Sequence, residues 1–287
     1  MRQAMMRAVT GLLLAATAAL AAPPARIVST APSFTETVFA LGAGDRVVAV
    51  STYCHYPAAV EKLPRVGDYL NPNVEAIARL RPDLVLVHAE QKQILAQLNG
   101  LGVRTLALRN TSLEETLGSV REIGAAIGLA EKGSALERDL RGRLAAIGKR
   151  HAGKTPRSLL FIVGRTPARL DGMIAVGRGS FLNDLIRAAG GRNVLADSPV
   201  TYPKISLEAV LRLAPDAIVD MGDMAATTGV TEEHKRSVVR LWETQPGIRA
   251  VAQKKVFAVA ADIFVVPGPR VVEAAEAFAA MLYGDRR

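Results

Sequence analysis

Short apolar runs of strand length alternate along most of the chain with segments whose apolar residues recur at helical spacing. Residues 26–29, 46–51, 84–87, 103–108, 158–163, 217–219 and 255–260 read as strands, the run at 217–219 more weakly than that at 84–87. Residues 35–41, 92–98, 181–189 and 270–282 read as helices, and Gly42, Gly100 and Gly190-Gly191 mark helix stops. Strands alternating with helices predict an α/β fold of mainly parallel sheets covered on both faces.

One stretch of this pattern occurs twice. Residues 69–85 read YLNPNVEAIARLRPDLV and residues 202–218 read YPKISLEAVLRLAPDAI. At a constant offset of 133, Tyr69/Tyr202, Glu75/Glu208, Ala76/Ala209, Arg79/Arg212, Leu80/Leu213, Pro82/Pro215 and Asp83/Asp216 are identical. In each copy Asn73 or Ser206 caps a helix, the proline ends it, and a short strand follows. A period this long exceeds that of a solenoid and implies two similar lobes. Between them residues 113–150 are helical almost throughout, with a break near Gly128. Residues 130–149 form one long helix with Leu136, Leu140, Leu144 and Ile147 as its apolar stripe. Glu137 and Arg141 make an i,i+4 ion pair on its polar side. The expected organisation is an N-terminal lobe over 22–128, a rigid linking helix over 129–152 and a C-terminal lobe over 153–287.

The first residues are an export signal. Arg2 and Arg7 precede an apolar run from Gly11 to Ala22 that is too short to span a bilayer, and Ala19-Leu20-Ala21 is a small-x-small cleavage site before Pro23-Pro24. Cleavage near Ala21 leaves about 265 residues, ample for two lobes. Of the formal charge of +9, those two arginines carry two, leaving +7. The remaining cations are scattered without interleaved aromatics, which argues against a nucleic-acid partner. Cys54 is the only cysteine, so the chain forms no internal disulfide; a lone thiol of this kind is a small buried residue more often than a nucleophile.

No catalytic constellation emerges. His55, His88, His151 and His234 lack metal-ligand spacing, no GxSxG elbow is present, and Gly177-Arg178-Gly179 lacks the third glycine of a dinucleotide fingerprint. Ser180 reads instead as a helix cap. Ligands of open parallel sheets sit beyond the carboxyl ends of the strands. Tyr53, His88, Arg165, Asp262 and Phe264 all follow expected strands, and Tyr69 and Tyr202 precede the two repeat helices at equivalent places. An aromatic from each lobe can thus flank a large flat ligand. Tyr56 before Pro57 reads as a turn residue. Glu75 and Glu208 admit two readings of equal weight: carboxylates complementing a helix dipole by about 0.3–1 kcal/mol, or a matched pair that docks a two-fold symmetric partner.

The segments RIVSTAPSFTETVFALGAGDRVVAVSTYCHYP, LPRVGDYLNPNVEAIARLRPDLVLV, GSFLNDLIRAAGGRNV, YPKISLEAVLRLAPD and ADIFVVPGPRVVEA resemble those of the vitamin B12 and iron-complex receptors of ABC importers, over essentially the whole exported chain. The resemblance implies two α/β lobes joined by a single long helix, with ligand in the cleft between them, in a periplasmic monomer without a permanent cofactor or catalytic turnover. It also implies that Glu75 and Glu208 meet arginines on the two subunits of an inner-membrane permease powered by its ATPase. Tyr69 and Tyr202, each six positions before its glutamate, together with Tyr53 and His88, take the places where cobalamin-binding members carry aromatic contacts. Those members favour tryptophan there, whereas Trp242 lies outside the motifs. Arg165 and Asp262 are candidates for polar contacts. The ligand implied is cobalamin or a related corrinoid; haem or a ferric siderophore, coordinated by a tyrosine or by His88, is the alternative. The run GDYLNPNVE lacks the tyrosine and arginine usual before that glutamate in haem receptors. An exported α/β enzyme is the remote third reading.

Overall fold

The computed structural model describes residues 22–222 and 231–284; the expected export signal lies outside them. The N-terminal half contains β1 (Ile27–Ser29), α1 (Pro32–Ala40), β2 (Val47–Val50), α2 (Val74–Arg79), β3 (Leu84–His88), α3 (Lys92–Gly100) and β4 (Thr105–Leu108). Its sheet has the order β2-β1-β3-β4 and every pairing is parallel. Apolar side chains from both faces of this sheet enter two clusters, one under α1 and one under α2 and α3. That double burial is why its strands read as continuous apolar runs rather than as alternation.

Then come α4 (Leu113–Ala126) and α5 (Ala130–Lys149). The C-terminal half continues with β5 (Ser158–Gly164), β6 (Met173–Ala175), α6 (Phe181–Ala188), β7 (Arg192–Asn193), β8 (Lys204–Ile205), α7 (Leu207–Leu213), β9 (Ala217–Asp220), α8 (Glu232–Glu243), α9 (Arg249–Ala252), β10 (Val256–Ala258) and α10 (Val271–Tyr283). Its sheet runs β10-β9-β5-β6-β8, with β7 also on β5; β10, β9, β5 and β7 are parallel and β6 is antiparallel to both neighbours. The strands β6, β7 and β8 have two or three residues each and lack a sequence signal of their own. Helix α3 continues through Gly100, and the left-handed residue that follows it is Gly102 (φ +72°).

The repeated segment folds twice into one device. Asn73 Oδ1 accepts from Ala76 N at 2.9 Å, and Ser206 Oγ accepts from Ala209 N at 3.3 Å, capping α2 and α7. The residue before each proline, Arg81 or Ala214, is left-handed (φ 47° and 43°), the conformation in which helices commonly end. The repeated aspartates then clamp the start of the neighbouring strand. Asp83 Oδ2 accepts from Ala25 N and Arg26 N at 2.9 and 2.8 Å, and Asp216 Oδ2 accepts from Ser158 N and Ser158 Oγ, both at 2.8 Å.

The helix expected to link the lobes, α5, packs along α4. Gly128 (φ +77°) breaks the helix, and α5 has the ends expected from the sequence. Leu117 and Val120 of α4 belong to the C-terminal core, Ile123 and Ile127 to the N-terminal core, and Leu136 of α5 packs on both. The two helices touch at glycines: a Cβ on Gly124 would lie 2.7 Å from the Cα of Gly133. Glu137 does pair with Arg141 at 2.9 Å, but it is buried against α4 and also accepts from Arg121 Nη1 at 2.8 Å, so it is not on the polar side. Arg141 further bonds Glu114 at 2.9 Å, fastening one helix to the other.

Overpacking this contact costs about 1–3 kcal/mol, so Gly124→Leu should lower the denaturation midpoint. Gly142, on an exposed turn of α5 with open space around it, is the control: Gly142→Ala should stabilise by about 0.5–1 kcal/mol. Equal effects of the two substitutions in denaturant titrations would contradict the close approach.

Candidate functional site

The carboxyl edge of the N-terminal sheet carries a row of rings. Tyr53 follows β2, His88 ends β3, and Tyr69 lies on the loop before α2. Tyr53 and Tyr69 meet edge to face with centroids 6.4 Å apart, Tyr69 and His88 at 5.7 Å, and His88 and Phe34 of α1 at 4.7 Å. Tyr53 and Tyr69 remain 57% and 41% exposed, large apolar faces held out toward solvent. The loop bearing Tyr69 is braced on both sides. Asp68 Oδ1 accepts from the backbone N–H groups of Leu70 and Asn71, both at 2.7 Å, and Gln91 Nε2 donates to the carbonyl oxygens of Tyr69 and Leu70. Burial lowers the pKa of His88, with Glu90 pulling weakly the other way, so the ring is neutral at neutral pH.

Tyr202 occupies the corresponding place in the other half, 45% exposed, with its hydroxyl 3.3 Å from Ser180 Oγ. Ser180 caps α6 as its sequence suggests, accepting from Leu182 N at 3.2 Å. Glu75 and Glu208 are exposed in the first turns of α2 and α7. A hydrogen bond from the Ser206 side chain, then one from the backbone, holds the Glu208 carboxyl below its ordinary value.

Three candidates do not present themselves to a ligand in this way. Phe264 is 3% exposed and packs against Phe161 and Phe278, centroids 6.0 and 5.4 Å away, so it is a core residue. Arg165 is buried: its Nε donates to Asp220 Oδ2 at 2.9 Å and its Nη1 reaches the carbonyl oxygens of Thr166 and Arg169 at 3.2 Å. Asp262 spends both oxygens on Arg270, at 3.0 and 2.8 Å. The fully buried Asp220 was not singled out from the sequence. It also accepts from Trp242 Nε1 and Gly222 N, both at 2.6 Å, which makes the lone tryptophan part of the core. Cys54 is buried too, its sulfur 3.3 Å from Thr35 Oγ1 and 3.2 Å from Ser51 Oγ, and burial pushes its thiol pKa up. This is the setting of a structural thiol packed in the core.

With this geometry in view, residues 27–263 match the family model for periplasmic binding proteins. The chain belongs to the periplasmic binding protein family. This is a class of substrate-binding transport proteins rather than of enzymes. An ABC transporter substrate-binding lipoprotein of Bacillus subtilis, YvrC, is 33% identical over 270 residues, 91% of this chain and 81% of that protein. A vitamin B12-binding protein of Vibrio cholerae is 30% identical over 257 residues, 88% of this chain and 87% of that one. Among solved structures, the periplasmic vitamin B12-binding protein BtuF of Vibrio cholerae aligns with a TM-score of 0.75 at 29% identity, covering 91% of this chain and 97% of its own. The haem-binding protein RhuT of Roseiflexus aligns at 0.74 and 27%, covering 90% and 98%. The two-lobed α/β architecture expected from the sequence is the fold of these periplasmic binding proteins.

In the folded family member, the His88 ring should titrate below the ordinary value of 6.5. The unfolded chain then binds the proton first, so stability falls as pH drops from 6.5 through the folded value, and no penalty remains above 6.5. Ring-proton shifts followed by NMR check this, and a midpoint at or above 6.5 would contradict the burial of the ring.

Proposed function

We propose that this periplasmic binding protein captures cobalamin or a related corrinoid between its lobes and delivers it to an ABC permease after export to the periplasm. The observation that carries the reading is the exposed ring row of Tyr53 and Tyr69, backed by His88, with Tyr202 matched to it at the repeat offset. A corrin macrocycle has broad apolar faces, and tyrosine rings cover such a face at small entropic cost. The vitamin B12-binding relatives at about 30% identity support the same ligand class. Tyr53, Tyr69, His88 and Tyr202 are the contacts in this reading. Asp262 would act only through Arg270; Arg165 and Phe264 serve the core.

The delivery step assigns Glu75 and Glu208 to docking. Both are exposed in the first turns of their helices, within reach of a guanidinium from a partner. Glu75 borders an open depression of about 650 Å³ that includes the half-exposed Leu101, and Leu211 is exposed one turn after Glu208. Two matched acidic patches, each beside a leucine, suit the two subunits of a permease dimer. The exposed tyrosine hydroxyls favour a second reading, haem or a ferric siderophore bound through phenolate oxygen.

Calorimetric titration of the purified protein with cyanocobalamin, and with haemin in parallel, separates the two. Saturable one-to-one cyanocobalamin binding is expected, weakened at least about tenfold by Tyr69→Ala or Tyr202→Ala, a loss of about 1.4 kcal/mol. Tight haemin binding with none for cyanocobalamin would replace the ligand. The double variant Glu75→Ala, Glu208→Ala should keep its affinity and lose cellular uptake of the vitamin; undiminished uptake would refute the docking role.

A further inference from the structure

A buried ion pair spans the two halves of the molecule. Glu36 of α1 has both carboxylate oxygens on Arg270, at the start of α10 and 234 residues away: Nε donates to Oε2 at 2.9 Å and Nη2 donates to Oε1. The Glu36 side chain is 3% exposed and that of Arg270 13%. On the C-terminal side Asp262 holds the rest of the guanidinium, through Nη1 and Nη2. The guanidinium also lies over the ring of Tyr56, 4.1 Å from its centroid. Beside this node the backbone of Gly268 runs so close to α1 that a Cβ there would sit 3.3 Å from Glu36 Oε2 and from Ser33 Cα.

We propose that Arg270 and Glu36 form an interlobe clasp that sets the angle between the lobes and so positions the ring row for ligand. The elements of the clasp are those of the row. Helix α1 carries both Glu36 and Phe34, the ring against which His88 packs at a tilt. The segment after β2 carries both Tyr56, under the guanidinium, and Tyr53. Asp262 keeps Arg270 oriented from within its own lobe, so the bond that separates on opening is the one to Glu36. Opening would break this two-pronged bond, which gives the clasp two states, bonded and parted. Burial raises the Glu36 carboxyl above its ordinary value while Arg270 pulls against the shift. Burial works against the Arg270 cation too, and the two carboxylates more than reverse this.

The clasp is tested without ligand by interlobe distances between spin labels at Lys62→Cys and Asp197→Cys, both exposed, Cys54 being buried from the label. The parent should give one narrow distribution. Glu36→Gln and Arg270→Gln should broaden it and add a second population, while Asp262→Asn should leave it narrow. Arg270→Lys, which keeps the charge and loses the two-pronged geometry, should fall between, and it is read in the same way if the glutamine variants do not fold. A purely structural role would lower the melting temperature and leave the distances of the folded protein alone; that result overturns the proposal. A second arm rests on the proposed function: cyanocobalamin should leave Glu36→Gln about tenfold faster than the parent. Failure of the parent itself to bind cyanocobalamin would count against the corrinoid reading and leave the distance result to decide the clasp.

Discussion

The arrangement of this molecule depends on the close contact of α4 and α5 at Gly124 and Gly133. Because the helix axes approach to glycine distance, the residues around the contact divide cleanly: Leu117 and Val120 go to one core, Ile123 and Ile127 to the other, and Leu136 touches both. The ion pairs of Arg121 with Glu137 and of Glu114 with Arg141 cross between the helices and fix the rotation of one on the other.

The repeat uses one local solution twice and leaves its polar products on the surface. In each lobe a cap starts a short helix, a left-handed residue before proline ends it, and an aspartate seizes the first amides of the adjacent strand. A glutamate in the first turn and a tyrosine six residues earlier are thereby held at like positions in two similar frames. Both pairs are exposed, the glutamates at the helix starts and the tyrosines on the loops before them. Both placements follow from a duplicated backbone path rather than from any special chemistry of the side chains.

Features set by local sequence were legible before the structure. The ends of α5, the caps Asn73, Ser180 and Ser206, and the apolar strands of the parallel sheets rest on spacing and on turn residues. What was not legible depends on distant partners. Arg165 follows a strand as a ligand contact would, yet Asp220, 55 positions later, takes its guanidinium into the core. Phe264 lies in the same kind of place and is claimed by Phe161 and Phe278. Glu137 looks like a surface partner of Arg141 until α4 covers it. Asp220 and Glu36 gave no signal because a buried carboxylate in an apolar setting is readable only through its counterion, and those counterions are remote in sequence. The short strands β6 to β8 are defined by their neighbours, not by their own two or three residues.

The central claim is that a flat corrinoid is held between the ring row of one lobe and the matched tyrosine of the other. A crystal structure of the protein grown with cyanocobalamin tests it most directly. The account predicts the macrocycle between the lobes, with Tyr53 and Tyr69 against one part of it, Tyr202 against another, and Arg165 and Phe264 remaining in the core. A macrocycle bound elsewhere, with all three tyrosines still facing solvent, would contradict it.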